Sequence, residues 1–392
     1  MLPWLAAAGA FVVSLDSMMN IAFPAIAMGF AVPPETIQWV IICYTGVYAI
    51  TAFAGGAVAD LVGHLRVFRV GVALMAVALL AGGVAPSFGG LLAARIVQGL
   101  AGGLIYGTAP GIVTLAAAPD QRGRALGFLN AAMALALALG PLAAGVLVET
   151  VGWRAVFHTR VPLAAVVFAC SLAVRSPRAA GGAPRLVGLA DLLRPPVPVA
   201  CALAFLANAA IFAIWLLVPF YLIERRGFGA ALGGAIFMLT PLGTTLAALI
   251  AGRLADRIGA AAPLIVGLTL ETAGLAMLAG SDVATPTLVV AAALFTAGFG
   301  LGVFQVPMMT MVMNAFPAAL QGAAGGLTFL TRTLGLVSGV AALAALFAAR
   351  REAAGFDAAF SAALLLATVI VGAAALLALL RLRRLGPRQP GL

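Results

Sequence analysis

The chain is a succession of apolar stretches, each near the length of a membrane-crossing helix and separated from the next by a short polar turn. A helix needs about 20 predominantly apolar residues to cross the hydrocarbon core of a bilayer. Only 9% of the 392 residues are charged and 64% are hydrophobic, which leaves too little polar sequence for the surface of a soluble domain. The sequence therefore predicts a protein embedded in a membrane.

The stretches favour helices over strands, because the strands of a membrane barrel alternate in polarity over segments of about ten residues. We predict an all-α membrane protein with twelve transmembrane helices in two pseudo-symmetric bundles of six. The predicted spans are 4–29, 36–60, 67–86, 89–115, 122–148, 153–174, 197–223, 229–255, 262–280, 284–314, 319–348 and 356–382. The first bundle covers 1–174 and the second 197–392, and a Pro/Gly-rich cytoplasmic linker at 175–196 joins them.

A short polar hinge occurs twice, at matching places in the two predicted bundles. It reads GAVADLVG at 56–63 and GRLADRIG at 252–259, so Gly, Ala, Asp and Gly recur at identical spacing. Parallel repeats related by an axis along the membrane normal are one of the two common plans of secondary transporters. The repeat therefore favours a transporter built from two copies of one helical unit.

The net charge of +10 comes from arginine alone, since the chain contains no lysine. These arginines lie in short loops between apolar runs, a pattern that predicts membrane topology and contact with anionic lipid rather than nucleic acid. Most of them fall on the side of the linker and of both termini, which predicts that this side is cytoplasmic. The three cysteines have no disulfide-type or metal-type spacing, and no nucleotide-binding loop occurs.

Several motifs follow one another along the first half of the chain. They are LDSMMNIAFP at 15–24, QWV at 38–40 with Tyr44, the hinge from Gly56 to Arg66, RIVQG at 95–99, and ALGPLAAG at 138–145 with GWR at 152–154. In this order they resemble the major facilitator superfamily, and within it the bacterial drug:proton antiporters. The resemblance implies a multi-pass protein of the bacterial inner membrane that carries small molecules with the proton as coupling ion. Arg160 departs from the pattern, because a neutral residue is expected there.

Asp16, halfway along the first span, is the leading candidate for proton binding. An ionised Asp at the bilayer centre costs about 2.5–3.5 kcal/mol, so such a group faces a cavity or a partner. Arg95 on the fourth span could hold Asp16 ionised, and the resemblance implies that it takes part in proton coupling. Glu271, midway along the ninth span, is a third candidate and the obvious charge complement of Arg332, whose partner the sequence does not identify. The alternative is that these groups are structural, and that Glu271 and Arg160 snorkel from peripheral helices.

Polar and methionine side chains on several spans are candidates for an adaptable substrate cavity, although plain packing is the alternative for the methionine. The candidates are Asn20, Tyr44, Gln98, Asn130, Asn208, Trp215, Gln305, Met308 and Arg332.

A second set of residues could gate the passage. Gly140 and Pro141 interrupt the fifth helix and are predicted to form a hinge or seam. Asp60 and Arg66, with their repeat partners Asp256 and Arg257, could form ion pairs that close the cytoplasmic mouth or could belong to solvated turns.

The function predicted from these features is proton-driven export of drug-like or amphipathic small molecules by alternating access. We expect a monomer in the lipid bilayer, with no enzymatic activity, no metal, no organic cofactor and no nucleic-acid partner. Transport of organic anions is the alternative, motivated by the arginines at 95, 160 and 332. A membrane sensor without flux is a further, distinct possibility.

Overall fold

The computed structural model describes residues 2–116, 122–174, 193–316 and 321–382, and these residues form helices joined by short turns, with no strand among them. The helices are α1 (Leu2–Phe30), α2 (Gln38–Val62), α3 (His64–Gly83), α4 (Phe88–Ala116), α5 (Arg122–Thr150), α6 (Ala155–Leu172), α7 (Val197–Phe220), α8 (Ala230–Phe237 and Leu239–Ile258), α9 (Ala261–Ala279), α10 (Thr287–Ala315) and α11 (Gln321–Leu382).

Eleven helical segments of the described residues are long and apolar enough to cross a membrane, and their ends lie close to the predicted ones. The last segment, Ala324–Arg381, has 58 residues, far more than one crossing needs. Within it Gly355 leaves the helical conformation at φ 81°, a region that glycine enters readily because it has no Cβ. The predicted spans 319–348 and 356–382 meet near this glycine, and the count of twelve stays a prediction.

The described chain divides into two compact units. Unit 1 holds α1 to α6 together with residues 222–238, which include the first segment of α8. Unit 2 holds α7 and Tyr221 together with residues 239–382. Most of the predicted linker, from 175 to 192, lies outside the described residues. Unit 1 therefore carries Asp16, Arg95 and Arg160, and unit 2 carries Glu271.

Helix α1 changes its winding at the candidate proton site. Residues Leu15–Ser17 form a single 3-10 turn between the α-helical segments Leu2–Ser14 and Met18–Phe30. Further along, Pro24 lacks an N–H and cannot donate to the carbonyl one turn before it. A 3-10 turn inside a long helix often marks a hinge, and here it carries Asp16.

Helices α2 and α4 lie against each other through glycine. A Cβ at Gly99 would come within 2.5 Å of the carbonyl oxygen of Tyr44, and one at Gly103 within 2.6 Å of the Cβ of Thr51. Small residues at four-residue spacing allow membrane helices to approach until their backbones touch. This contact fixes the ring of Tyr44 beside the segment of α4 that carries Arg95.

Candidate functional site

Four hydrogen bonds converge on the carboxylate of Asp16. Arg95 donates from Nη1 to Oδ1 at 2.6 Å and from Nη2 to Oδ2 at 2.8 Å, which is a bidentate pair. Gln98 donates from Nε2 to Oδ1 at 2.8 Å, and Arg160 donates from Nη1 to the same oxygen at 3.1 Å. Helices α1, α4 and α6 thus meet at one carboxylate.

Backbone carbonyl groups hold the two guanidinium groups in place. Arg95 donates from Nε to the carbonyl of Val40 at 3.0 Å, and Arg160 donates from Nη2 to the carbonyl of Val12 at 3.0 Å. Arg95 also donates from Nη1 to Oε1 of Gln98 at 2.9 Å. Because each guanidinium is bound on more than one edge, rotation of either side chain would break several bonds at once.

The cluster is buried and carries an excess of positive charge. The side chains of Arg95 and Arg160 are 2% and 1% exposed, while that of Asp16 is 13% exposed. One carboxylate and two guanidinium groups leave a formal charge of +1. Protonation of Asp16 would remove the counter-charge of both arginines, so the proton occupancy of this carboxyl controls the electrostatics of the whole cluster.

Three tyrosines form a row of ring contacts that begins at Arg95. The guanidinium carbon of Arg95 lies 4.2 Å from the ring centroid of Tyr44, in cation–π geometry. Tyr44 stacks on Tyr48 at 5.8 Å, and Tyr48 meets Tyr106 edge-on at 5.4 Å. The hydroxyl of Tyr106 in turn shares a hydrogen bond with the hydroxyl of Ser14. Sequence reasoning did not single out Ser14, Tyr48 or Tyr106.

Of the predicted residues, Asp16, Arg95, Gln98 and Tyr44 come together at one place. Asn20, one turn after Asp16 on α1, donates from Nδ2 to the carbonyl of Ser17 at 3.0 Å and so bonds to its own helix.

The snorkelling interpretation of Arg160 was wrong. The residue is fully buried and reaches Asp16, because the helix that carries it packs against α1. The signal available in the sequence was the arginine itself, since a guanidinium inside an apolar helix requires an acid or carbonyl partner.

None of the remaining cavity candidates has a described contact with Asp16, Arg95 or Arg160. Asn130 is exposed, and Asn208 is buried but donates to the carbonyl of Ala204 on its own helix at 2.8 Å. Trp215 stacks on Phe212 with ring centroids 5.8 Å apart. Met308 is buried, whereas Gln305 and Arg332 are half-buried. Their part in a substrate cavity stays a prediction.

Glu271 differs from the expectation in two respects. Its side chain is fully buried, so it does not snorkel to the membrane surface. Among the residues that the structure describes, neither carboxyl oxygen has a hydrogen-bond partner, so Glu271 does not bond to Arg332, its obvious charge complement. The physical reason lies in the packing of α9, whose face at Glu271 lies against the uncharged helix α10.

The gating candidates are partly described. Gly140 lies directly against the side chain of Ser17, so a side chain at 140 would collide with the 3-10 turn of α1. Pro141 follows Gly140 inside α5. Arg66 donates to the carbonyl of Val62 at 3.4 Å, and Arg257 is exposed. The side chains of Asp60 and Asp256 lie outside the described residues, so the ion pairs at the cytoplasmic mouth stay a prediction.

Comparison with known proteins places the chain in a family. The family model "Major Facilitator Superfamily" matches residues 5–340, and the chain belongs to this superfamily. It is 27% identical to "Multidrug resistance protein Stp" of Mycobacterium tuberculosis, over 87% of this chain and 74% of that protein. It is 26% identical to "Tetracenomycin C resistance and export protein" of Streptomyces glaucescens, over 88% of this chain and 75% of that protein.

A solved structure shares the fold. The crystal structure of the nucleoside transporter NupG superposes with a TM-score of 0.75 and covers 99% of this chain and 100% of that chain, at 14% identity. At this identity the likeness concerns the fold alone. Together with the family, it identifies the chain as a multi-span membrane transport protein rather than an enzyme, with a small molecule as its substrate.

Proposed function

We propose that this transporter exports drug-like or amphipathic molecules across the bacterial inner membrane in exchange for protons. The names of two relatives, a multidrug resistance protein and an antibiotic export protein, support a cargo of this kind. The observation that carries the coupling is the bidentate pair between Asp16 and Arg95 inside two membrane-crossing helices.

Asp16 is the group of this pair that would take up the proton. Protonated Asp16 can no longer accept both Arg95 bonds, so the bidentate geometry is lost when the proton arrives. Coupling requires that the proton bind with different free energy in the inward-open and outward-open states. A carboxylate bound by two arginines in one state and released from them in the other meets this requirement.

The 3-10 turn of α1 would link protonation of Asp16 to the packing of α1 against α5. Asp16 lies in the 3-10 turn, and the next residue, Ser17, packs directly against Gly140 on α5. Release of the arginine bonds would free this turn to rewind and would change the contact at Gly140. Alternating access would then follow from a change in helix packing that begins at one carboxyl group.

The proposal is tested with the purified chain in proteoliposomes whose lumen is more acidic than the medium. We expect wild type to accumulate the lipophilic cation ethidium in the lumen as protons leave. Asp16→Asn should abolish this accumulation, whereas Asp282→Asn, a matched change in an exposed loop, should leave it intact. Accumulation by Asp16→Asn at the wild-type level would refute the coupling scheme.

Organic-anion transport is a second candidate, and the position of Arg160 favours it. With Asp16 protonated, Arg95 and Arg160 would leave two buried positive charges at one place. A substrate carboxylate could replace Asp16 as their partner, since arginine binds carboxylates in bidentate fashion. Proton and anion would then bind together rather than compete.

The two candidates differ in their response to Arg160→Gln. If the cargo is anionic, proteoliposomes should take up a radiolabelled aromatic carboxylate under a pH gradient, and Arg160→Gln should abolish the uptake. If the cargo is a neutral or cationic drug, carboxylate uptake should match that of empty liposomes while ethidium accumulation persists.

A further inference from the structure

Unit 2 contains a second buried carboxyl group, and the cluster around Asp16 makes no use of it. Glu271 lies near the middle of α9 and is 0% exposed. Among the described residues, both Oε1 and Oε2 are buried without a hydrogen-bond partner. Buried polar groups are bonded in the great majority of cases, so an unpartnered carboxyl requires an explanation.

The carboxyl group lies on the tightest part of the contact between α9 and α10. Residues 267, 271 and 274 are four and three apart, so they share one face of the helix. A Cβ at Gly267 would come within 2.7 Å of the Gly300 carbonyl, and one at Gly274 within 2.7 Å of the Ala293 carbonyl. A Cβ at Gly300 would come within 2.3 Å of the backbone nitrogen of Glu271. We call this contact the α9–α10 seam.

The helices packed against α9 are α7, α8, α10 and α11, and most of their length carries no charge. Helix α10 contains no Asp, Glu, Lys, Arg or His, and neither does α7. The second part of α11 runs along α9, with Ser361 donating to the Ala279 carbonyl at 2.6 Å and Gly372 beside Thr272. Its residues 358–380 are also without a charged side chain.

The α8 helix carries its charged groups at one end. They are Arg253, Asp256 and Arg257 near the end of the segment Leu239–Ile258, and both arginines are exposed. Helix α11 carries its charged side chains outside residues 358–380, at Arg332, Arg350, Arg351, Glu352, Asp357 and Arg381. Among the described residues, neither carboxyl oxygen of Glu271 bonds to any charged group. Desolvation strongly disfavours an ionised carboxylate in such surroundings, so the closed seam favours the neutral form.

We infer that Glu271 is a second proton-binding site, placed in the α9–α10 seam and separate from the Asp16 cluster. The closed seam retains the proton, because its loss would leave a bare charge between apolar helices. The proton leaves only when the seam parts and water reaches the carboxylate. Protonation of Glu271 therefore favours the closed seam, and deprotonation favours an open one.

This inference does not depend on the role of Asp16 or on the cargo. A structural carboxyl that never titrates would keep its proton at every pH at which the protein stays folded. A proton site, in contrast, loses its proton as the pH rises, together with a change in the packing of α9 against α10. Observation of the protonated carboxyl as a function of pH separates the two.

The test is infrared difference spectroscopy of the full chain in liposomes, recorded over a pH series. Wild type should show the carbonyl band of a protonated carboxyl in an apolar environment at neutral pH, and the band should disappear as the pH rises. Glu271→Gln should lack the band, Glu271→Asp should keep it at a shifted frequency, and Asp16→Asn should keep it unchanged. The aspartate variant keeps the assignment testable if the glutamine variant does not fold.

Two outcomes would overturn the inference. One is a wild-type spectrum without such a band at neutral pH, or with a band that persists in Glu271→Gln. The other is a band that remains at every pH at which the protein is folded, because that result describes a structural carboxyl. If Asp16→Asn transported normally while the Glu271 band titrated, the coupling scheme of unit 1 would fail and the second proton site would stand.

Discussion

Asp16 and Glu271 are both buried acids in membrane-crossing helices, and their surroundings are opposite. Asp16 accepts four hydrogen bonds from Arg95, Gln98 and Arg160, and it lies where α1 departs from α-helical winding. Glu271 has no partner among the described residues and lies where glycines bring two regular helices into contact. The comparison indicates that burial alone does not determine the charge of a buried acid. The hydrogen-bond donors around the carboxyl group determine whether the ionised form is stabilised.

The largest expected difference between the two sites appears when each acid is replaced by an apolar residue. Asp16→Leu leaves two buried guanidinium groups without their carboxylate and should destabilise the protein by about 3–5 kcal/mol. Glu271→Met removes an unpartnered polar group and keeps a similar volume, so the stability should be unchanged or higher. Unfolding in mixed detergent micelles measures both. Equal losses in the two variants would show that Glu271 has partners of its own.

A second difference concerns the tightness of the seam around Glu271. Gly300→Ala places a methyl group against the backbone nitrogen of Glu271 and should cost about 1–3 kcal/mol. Gly325→Ala is the matched control, because a Cβ there meets no atom within 4 Å. The control should be neutral or slightly stabilising. Similar stabilities of the two variants in the same unfolding assay would argue against a close seam.

The smallest expected effect concerns the ring beside Arg95. Tyr44→Leu removes the cation–π contact at 4.2 Å and should cost about 0.5–2 kcal/mol. Tyr44→Phe keeps an aromatic face under the guanidinium and should retain most of that stability. If both variants lost the same amount, the hydroxyl group of Tyr44 rather than its ring would stabilise Arg95.

The sequence predicted those features that follow from local chemistry. Long apolar stretches marked the spans, and an aspartate inside one of them marked the proton-site candidate. Arg95, Gln98 and Tyr44 were found because their motifs lie in a recognisable order. Each of these inferences needs only short motifs and their order along the chain.

The sequence did not predict which distant helices meet. Arg160 and Asp16 are 144 residues apart, and only the packing of α6 against α1 brings them together. Opposite charge made Glu271 the obvious complement of Arg332, but the α9 face that carries Glu271 packs against the uncharged α10. Charge complementarity identifies possible partners, whereas the packing of small residues decides which of them come within reach.

The central claim is that the proton on Asp16 and the cargo compete through one conformational equilibrium. Because linkage is reciprocal, a cargo that is exchanged for a proton must bind less tightly as Asp16 becomes protonated. The direct measurement is the affinity of the purified protein for ethidium over a pH series, in the Glu271→Gln background so that the second carboxyl does not contribute. We expect affinity to fall as the pH falls, and we expect Asp16→Asn to remove this dependence. The same pH dependence with and without Asp16 would contradict the account.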